Sequence, residues 1–115
     1  LVQDKNVLAP SPTTTFEGAP GGDNHPGTDQ SDLMFGLAGN DTIRGLEGND
    51  RLVGGPGADT LIGGRGVDLL DGGPGNDDLD VFDHQRDTVL GGAGRDVAHV
   101  DKKLDKVVGV ERRVS

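Results

Sequence analysis

The feature that most constrains this chain is a nine-residue repeat that runs from Gly27 to His99. Its blocks read GTDQSDLMF, GLAGNDTIR, GLEGNDRLV, GGPGADTLI, GGRGVDLLD and GGPGNDDLD, then, after the inserted residue Val81, FDHQRDTVL and GGAGRDVAH. Position six is Asp and position eight is apolar in every block, and Gly fills positions one and four in most of them. A short repeat of this kind predicts a stacked architecture in which each unit packs on its neighbours.

Within a block, the first six residues are typical of a turn and the last three of a strand. Glycine permits the tight turn, and side chains alternate along the strand, so that the apolar eighth position faces inward. We therefore predict an all-β solenoid with two blocks to each coil and strands on two opposed faces. The inward side chains are Met34, Ile43, Leu52, Leu61, Leu70, Leu79, Val89 and Ala98.

The 115 residues divide into three regions. Residues 1–26 are rich in Pro and Thr, and we expect a flexible or partly docked linker with at most a short strand near Phe16. Residues 27–99 form the repeat array. Residues 100–115 lose the glycine period and predict a C-terminal cap with a strand from 106 to 110. The apolar residues expected to cover the last coil are Val107, Val108 and Val110.

Composition limits what the chain binds. It carries 20 acidic and 11 basic residues, for a net charge of −9, which disfavours nucleic acid and anionic membranes and favours cations. There is no Cys, so disulfides and thiolate metal sites are excluded. No apolar run is long enough for a membrane span. No zinc-helix, nucleophile-elbow or phosphate-loop motif occurs, which predicts a chain that is not itself an enzyme, with an upstream catalytic domain left open.

The blocks GGPGADTLI, GGRGVDLLD and GGPGNDDLD resemble the nonapeptide G-G-x-G-x-D-x-U-x of the RTX (hemolysin-type) calcium-binding repeats. The resemblance implies a parallel β-roll, a right-handed β-solenoid of about eight half-turns, with several structural Ca²⁺ ions between turns that lie two blocks apart. It also implies an extracellular, secreted or cell-surface protein.

Carried over position by position, the resemblance implies two rows of metal-ligating carboxylates. One edge would use Asp32, Asp50, Asp68 and Asp87, and the other Asp41, Asp59, Asp77 and Asp96. Asp32 and Asp87 stand in blocks that depart from the pattern, through Gln30 in the first and the loss of every Gly in the seventh. Turn carbonyls are expected to complete the ligand set, at Gly36, Ala38, Asn40, Gly45, Glu47, Asn49, Gly54, Pro56, Ala58, Gly63, Arg65, Val67, Gly72, Pro74 and Asn76.

Electrostatics explains why such an array needs a cation. Consecutive coils lie about 4.8 Å apart, and carboxylates at that distance repel by roughly 3 kcal/mol at an effective dielectric constant of 20. Ca²⁺ takes six to eight oxygen ligands in tolerant geometry, whereas Mg²⁺ requires a smaller octahedron. Zinc lacks its usual ligands, since His25, His84 and His99 are scattered. The alternative reading of the Asp row is a solvated acidic face.

We therefore expect a calcium-binding module that folds on Ca²⁺ and stabilises an extracellular protein or supports its secretion. Two alternatives remain: an adhesion or carbohydrate-binding module, and the non-catalytic C-terminal part of a secreted enzyme or toxin. A further expectation concerns the outward face of the odd-numbered blocks, which is the more apolar and would dock a domain or surface. Its apolar residues are Leu33, Phe35, Val53, Leu69 and Leu90.

Overall fold

The computed structural model describes residues 14–18, 21–22, 24–81, 83–101 and 104–114, and within them every regular element is a β-strand. The strands are β1 (Thr14–Glu17), β2 (Asn24–Pro26), β3 (Asp32–Phe35), β4 (Thr42–Arg44), β5 (Arg51–Val53), β6 (Thr60–Ile62), β7 (Leu69–Asp71), β8 (Asp78–Asp80), β9 (Thr88–Leu90), β10 (Val97–His99), β11 (Lys106–Val108) and β12 (Arg112–Val114). Across the described residues, we find no helix with the length and apolar character that crossing a membrane requires.

The strands alternate between two parallel sheets as the chain advances. In the described part of the chain, one sheet has the order β11-β9-β7-β5-β3-β1 and the other the order β12-β10-β8-β6-β4-β2. Leu52 pairs with Met34 on one side and Leu70 on the other, so the strands of these regular blocks lie beside strands 18 residues away. The predicted parallel β-solenoid is confirmed, and its eight blocks make about four turns.

The core is a single stack of apolar side chains between the two sheets. All eight position-eight residues are buried, at 0–1% exposure, which confirms the predicted inward direction. Val81 and Val100 join them in the same cluster, and Val107 and Val110 pack against it. The core is thin because each block contributes one inward side chain from its three-residue strand.

The inserted residue Val81 changes the register without breaking either sheet. Leu70 pairs with Val89, a separation of 19 residues instead of 18. The Val81 side chain is 1% exposed, and its amide N–H donates to the His99 carbonyl at 2.9 Å. Val81 therefore makes the main-chain hydrogen bond that position-one Gly63 makes to Asp80, and its apolar side chain joins the core.

Glycine at position four allows successive turns to touch. Gly57 has φ +124°, a conformation that L side chains rarely adopt, and a β-carbon there would collide with the carbonyl oxygen of Gly39 on the preceding coil. In return, the Gly57 amide N–H donates to the Pro74 carbonyl on the next coil at 3.1 Å. The close stacking of the coils thus depends on the missing side chain.

Both ends of the array continue the coil. β1 pairs with β3, and β2 pairs with β4, so residues before Gly27 extend both sheets. Residues 1–13 lie outside the described residues, and the linker boundary at residue 26 stays a prediction. The expectation of at most one short strand near Phe16 is wrong, because β2 is a second strand in this segment. Toward the C-terminus, the predicted strand ends at Val108, and a second strand, β12, follows.

The expected cover of the last coil is partly wrong. Val107 and Val110 pack against the core, but Val108 is 51% exposed. The reason is the strand pleat, which turns Val108 away from the side on which Val107 lies. On the outward face proposed for docking, the apolar residues Leu33, Phe35, Val53, Leu69 and Leu90 are each half-buried.

Candidate metal sites at the edges of the solenoid

The eight position-six aspartates lie where each turn enters its strand, and all of them are buried. Their exposure is 0–3%, from Asp87 at 0% to Asp50 at 3%. This excludes the reading of the Asp row as a solvated acidic face. Burial of unpaired carboxylates is costly, so an arrangement that repeats it at every coil calls for compensating partners.

From Asp50 onward, one oxygen of each position-six carboxylate is a hydrogen-bond acceptor between coils. The amide N–H of Asp32 donates to Asp50 Oδ1 at 2.7 Å, and the amide N–H of Asp50 donates to Asp68 Oδ1 at 2.8 Å. The opposite edge repeats the pattern, with the Asp41 amide donating to Asp59 Oδ1 at 2.8 Å and the Asp59 amide to Asp77 Oδ1 at 2.8 Å. The Asp side chains thus form two ladders that tie consecutive coils together.

The second carboxylate oxygen is buried without a hydrogen-bond partner among the described residues. This holds for the Oδ2 atoms of Asp50, Asp59, Asp68, Asp77, Asp87 and Asp96. Asp87 and Asp96 therefore share the arrangement of the residues in regular blocks. Asp32 differs, because its Oδ2 accepts from the Thr28 amide at 2.7 Å. The departure of the first block from the repeat is thus visible in the hydrogen bonds of its carboxylate.

Main-chain carbonyls of position-one glycines lie beside the Oδ2 atoms of the ladders. A β-carbon built on Gly36 would stand 2.5 Å from Asp41 Oδ2 and 2.7 Å from the Gly54 carbonyl oxygen. The same pair of oxygens, one carboxylate and one carbonyl, flanks Gly54, where the distances are 2.5 Å to Asp59 Oδ2 and 2.8 Å to the Gly72 carbonyl. Of the fifteen carbonyls expected as ligands, the structure brings those of Gly45, Gly54, Gly63 and Gly72 to the Asp ladders in this way.

Burial is the main cause that raises the pKa of the ladder carboxyls above the ordinary value of 3.8. The pKa reaches about 6 for Asp50 and Asp59, about 7 for Asp77 and Asp87, and about 8 for Asp68. Hydrogen bonds from main-chain amides lower it, and neighbouring carboxylates raise it further. In the protein alone, the carboxyls of Asp68, Asp77 and Asp87 therefore keep protons up to near-neutral pH, and a bound cation reverses that preference.

The donor set fits a hard divalent cation. It consists of carboxylate and main-chain oxygens, the ligands of Ca²⁺, with unpartnered oxygens already aimed into the protein. His84 Nδ1 instead lies 3.0 Å from Asp101 Oδ1, and His99 Nε2 lies 3.4 Å from Asp78 Oδ1. The side chain of His25 lies outside what the structure describes.

Comparison with protein-family models found one match, the RTX calcium-binding nonapeptide repeat (4 copies), at residues 26–61, 44–79 and 85–99. These residues make up more than half of the chain. The chain belongs to this RTX family. No curated protein and no solved structure matches it. As a member of the family, the chain is a calcium-binding module with a non-catalytic repeat.

Each ladder of the RTX module ends on a residue that sequence reasoning missed. The Asp87 amide donates to Asp105 Oδ1 at 2.9 Å, and the Asp96 amide donates to Glu111 Oε1 at 2.9 Å. Asp105 follows Asp87 by 18 residues, so the repeat spacing could have identified it. Glu111 follows Asp96 by only 15 residues, and no periodic signal points to it.

Sequence reasoning also missed Asp83, in the seventh RTX block. Its carboxylate lies with those of Asp68 and Asp87 in a group whose ligand atoms are all within 4.8 Å of one another. A fixed motif search passes over it because position two of the repeat is not an acidic position. A signal was nevertheless present in the replacement of glycine by an acidic residue in an otherwise regular array.

Proposed function

We propose that this chain is a module whose folding depends on Ca²⁺. The ions bind along the two edges of the solenoid and stabilise its folded state. The observation that carries the proposal is the row of buried Oδ2 atoms without hydrogen-bond partners at Asp50, Asp59, Asp68, Asp77, Asp87 and Asp96. Such groups destabilise a folded chain unless a partner meets them. The Ca²⁺ ligand preference matches the oxygens present.

The two carboxylate oxygens of a ladder aspartate have different roles. From Asp50 onward, the Oδ1 atom of each ladder aspartate accepts an amide N–H from the preceding coil and so fixes the spacing of the turns. The Oδ2 atom and the carbonyls of position-one glycines supply ligand oxygens. When bound, Ca²⁺ supplies positive charge that offsets the repulsion between carboxylates of successive coils. Glycine at position one leaves room for both oxygens, since a β-carbon would collide with them.

The thin core supports coupling between ion binding and folding. Each block buries one apolar side chain from its strand, and the buried side chain of its turn is the position-six carboxylate. A polar chain with so little apolar burial has difficulty meeting the entropy cost of ordering. We propose that the chain is loose and acidic without calcium and a rigid solenoid with it.

Circular dichroism during a calcium titration tests this proposal. We expect little β signal in metal-free buffer with chelator and a cooperative gain of β signal as free Ca²⁺ rises. Mg²⁺ at the same concentration is the control, and we expect it to produce a small fraction of the change. A full β signal in excess chelator, unchanged by calcium, would contradict ion-coupled folding.

We further propose an extracellular role, in which the module stabilises a secreted protein or supports its export. Extracellular calcium modules bind with dissociation constants of about 10⁻⁴ to 10⁻³ M. The expected calcium midpoint therefore lies in or below that range and above cytosolic calcium levels. A midpoint at nanomolar calcium would argue for an intracellular buffer instead.

An adhesion role makes a different prediction for the half-buried apolar residues of the outward face. A partner that docks on this face would shield these side chains from solvent. Val53→Ser would then weaken the binding of that partner while leaving the calcium midpoint unchanged. A screen of glycans and cell surfaces with the calcium-loaded module tests this alternative. Binding that survives Val53→Ser would locate the contact elsewhere.

A further inference from the structure

The seventh block breaks the repeat and replaces main-chain oxygens with a side chain. In regular blocks the position-four amide donates to a main-chain carbonyl, as the Gly57 amide does to Pro74 at 3.1 Å and the Gly75 amide to Ala93 at 2.9 Å. The Gly66 amide instead donates to the carboxylate Oδ2 of Asp83 at 3.2 Å. The Asp83 carboxylate thus accepts the hydrogen bond that a main-chain carbonyl accepts at Pro74 and Ala93.

This substitution brings a third carboxylate to one ladder step. Asp68, Asp83 and Asp87 place ligand atoms within 4.8 Å of one another. Asp68 and Asp87 are 2% and 0% exposed, and neither Oδ2 atom has a hydrogen-bond partner among the described residues. These two spare oxygens are a second observation, independent of the clustering, that points to a ligand.

The turn that carries Asp83 is fixed by hydrogen bonds to Asp101. The amide N–H of Asp83 donates to Asp101 Oδ2 at 3.0 Å, and the amide N–H of His84 donates to the same oxygen at 2.5 Å. His84 adopts φ +67°, which bends the chain at this point. Asp83 Oδ1 accepts from the Gln85 amide at 2.8 Å. Asp83 is therefore presented by a defined turn and is not a freely moving surface carboxylate.

We propose that Asp68, Asp83 and Asp87 form a three-carboxylate calcium site that differs from the sites of the regular blocks and binds Ca²⁺ most tightly in the chain. The proposal rests on the calcium-binding function proposed above and adds a ligand that the repeat does not supply. The physical reason is charge: calcium affinity rises with the number of carboxylates in a site and with the rigidity of their support. Asp101 acts as a positioning residue through the amides of residues 83 and 84.

The test is isothermal calorimetry with CaCl₂ on the full chain and on Asp83→Asn, with Asp78→Asn as the matched control. The amide side chain in Asp83→Asn retains an oxygen acceptor for the local turn but lacks the charge. Asp78 is an exposed carboxylate on the outer side of β8, so its variant removes the same charge away from the ladders. We expect Asp83→Asn to raise the dissociation constant of the tightest-binding class of Ca²⁺ ions by tenfold or more. We expect Asp78→Asn to leave that constant within about twofold of its value in the unmodified chain.

A second variant covers the case in which Asp83→Asn fails to fold. Asp83→Glu keeps the charge on a longer stem, and we expect it to retain a tight class that Asp83→Asn lacks, with circular dichroism at saturating calcium to establish that each variant is folded. Equal affinities in Asp83→Asn and the unmodified chain would overturn the three-carboxylate site while leaving calcium binding intact. An unmodified chain that binds no calcium would instead overturn the proposed function.

Discussion

At the scale of single residues, a ladder aspartate in the regular part of the array has two separable roles. Asp59 illustrates them: Oδ1 accepts the Asp41 amide at 2.8 Å, and Oδ2 is buried without a hydrogen-bond partner among the described residues. The first role is hydrogen bonding and does not need the negative charge. The second is cation binding and does. Substitutions that remove the charge alone, or the whole polar group, therefore separate the two contributions.

For Asp59 we predict two different losses. Asp59→Asn keeps an oxygen for the Asp41 amide and raises the calcium midpoint. Asp59→Ala does this and also leaves a buried amide unsatisfied, a further cost of about 1–3 kcal/mol. Calcium titration by circular dichroism measures the first effect, and urea unfolding at saturating calcium measures the second. Identical unfolding curves for the two variants would refute the separation.

Glycine at position four gives a second residue-level prediction. Gly57→Ala meets both a positive φ of 124° and the Gly39 carbonyl, so we expect a loss of more than about 1 kcal/mol of unfolding free energy. Gly21→Ala is the control, because a β-carbon there meets no described atom within 4 Å. Thermal unfolding at saturating calcium compares the two, and similar melting temperatures would contradict the assignment.

At the scale of the turn and strand, position-five asparagine side chains add hydrogen bonds between coils on both edges of the solenoid. Asn40 Oδ1 accepts the Ala58 amide at 2.8 Å, and Asn49 Oδ1 accepts the Val67 amide at 2.9 Å. Ala58 occupies the same position in the next block on its edge, and its side chain has no acceptor. By the same 18-residue spacing, an Asn side chain introduced at position 58 would accept the main-chain N–H of Asn76.

We therefore predict that Ala58→Asn adds one such hydrogen bond and stabilises the solenoid, by about 0.5–1 kcal/mol at this exposed site. The reverse change, Asn40→Ala, removes one such hydrogen bond and should destabilise by a similar amount. Neither variant touches a carboxylate, so calorimetry should give an unchanged number of calcium ions. Chemical unfolding at saturating calcium provides the measurement, and a stability loss in Ala58→Asn would count against a stabilising role for these hydrogen bonds.

The arrangement of turns and strands shows which features of the structure the sequence predicts. Inward packing of position eight and the 18-residue pairing follow from a strict period, because each block meets the same environment. The ladder that ends at Asp105 also keeps the 18-residue spacing, but Glu111 and Asp83 do not follow from the period. Glu111 reaches Asp96 with a longer side chain across a shorter segment, and Asp83 acts through a turn that exists only in the irregular block. A periodic pattern predicts the contacts of residues that recur in every block. It does not predict the contacts of Glu111 and Asp83, which lie where the repeat is interrupted.

At the scale of the whole molecule, protons and calcium compete for the same oxygens. The pKa of five ladder carboxyls is raised in the folded chain, chiefly by burial, to between about 6 and about 8. In the unfolded chain the same groups titrate near 3.8. Between these values the folded state binds more protons than the unfolded state. Stability in the absence of metal therefore falls as pH rises across this window and is greatest at its acidic end.

Calcium should reverse this trend, because it binds the ionised carboxylates of the folded state and protons displace it. In metal-free buffer we predict that acidification from pH 8 to pH 5 increases β structure and resistance to urea. In calcium titrations, the same acidification should raise the calcium midpoint, with the steepest change between about pH 6 and 8. Circular dichroism across pH, with and without calcium, measures both directions. The replacement of Asp68 by Asn should flatten the metal-free response most, since its carboxyl has the pKa of about 8. A metal-free chain that gains structure as pH rises would show that burial of these carboxyls does not govern its folding.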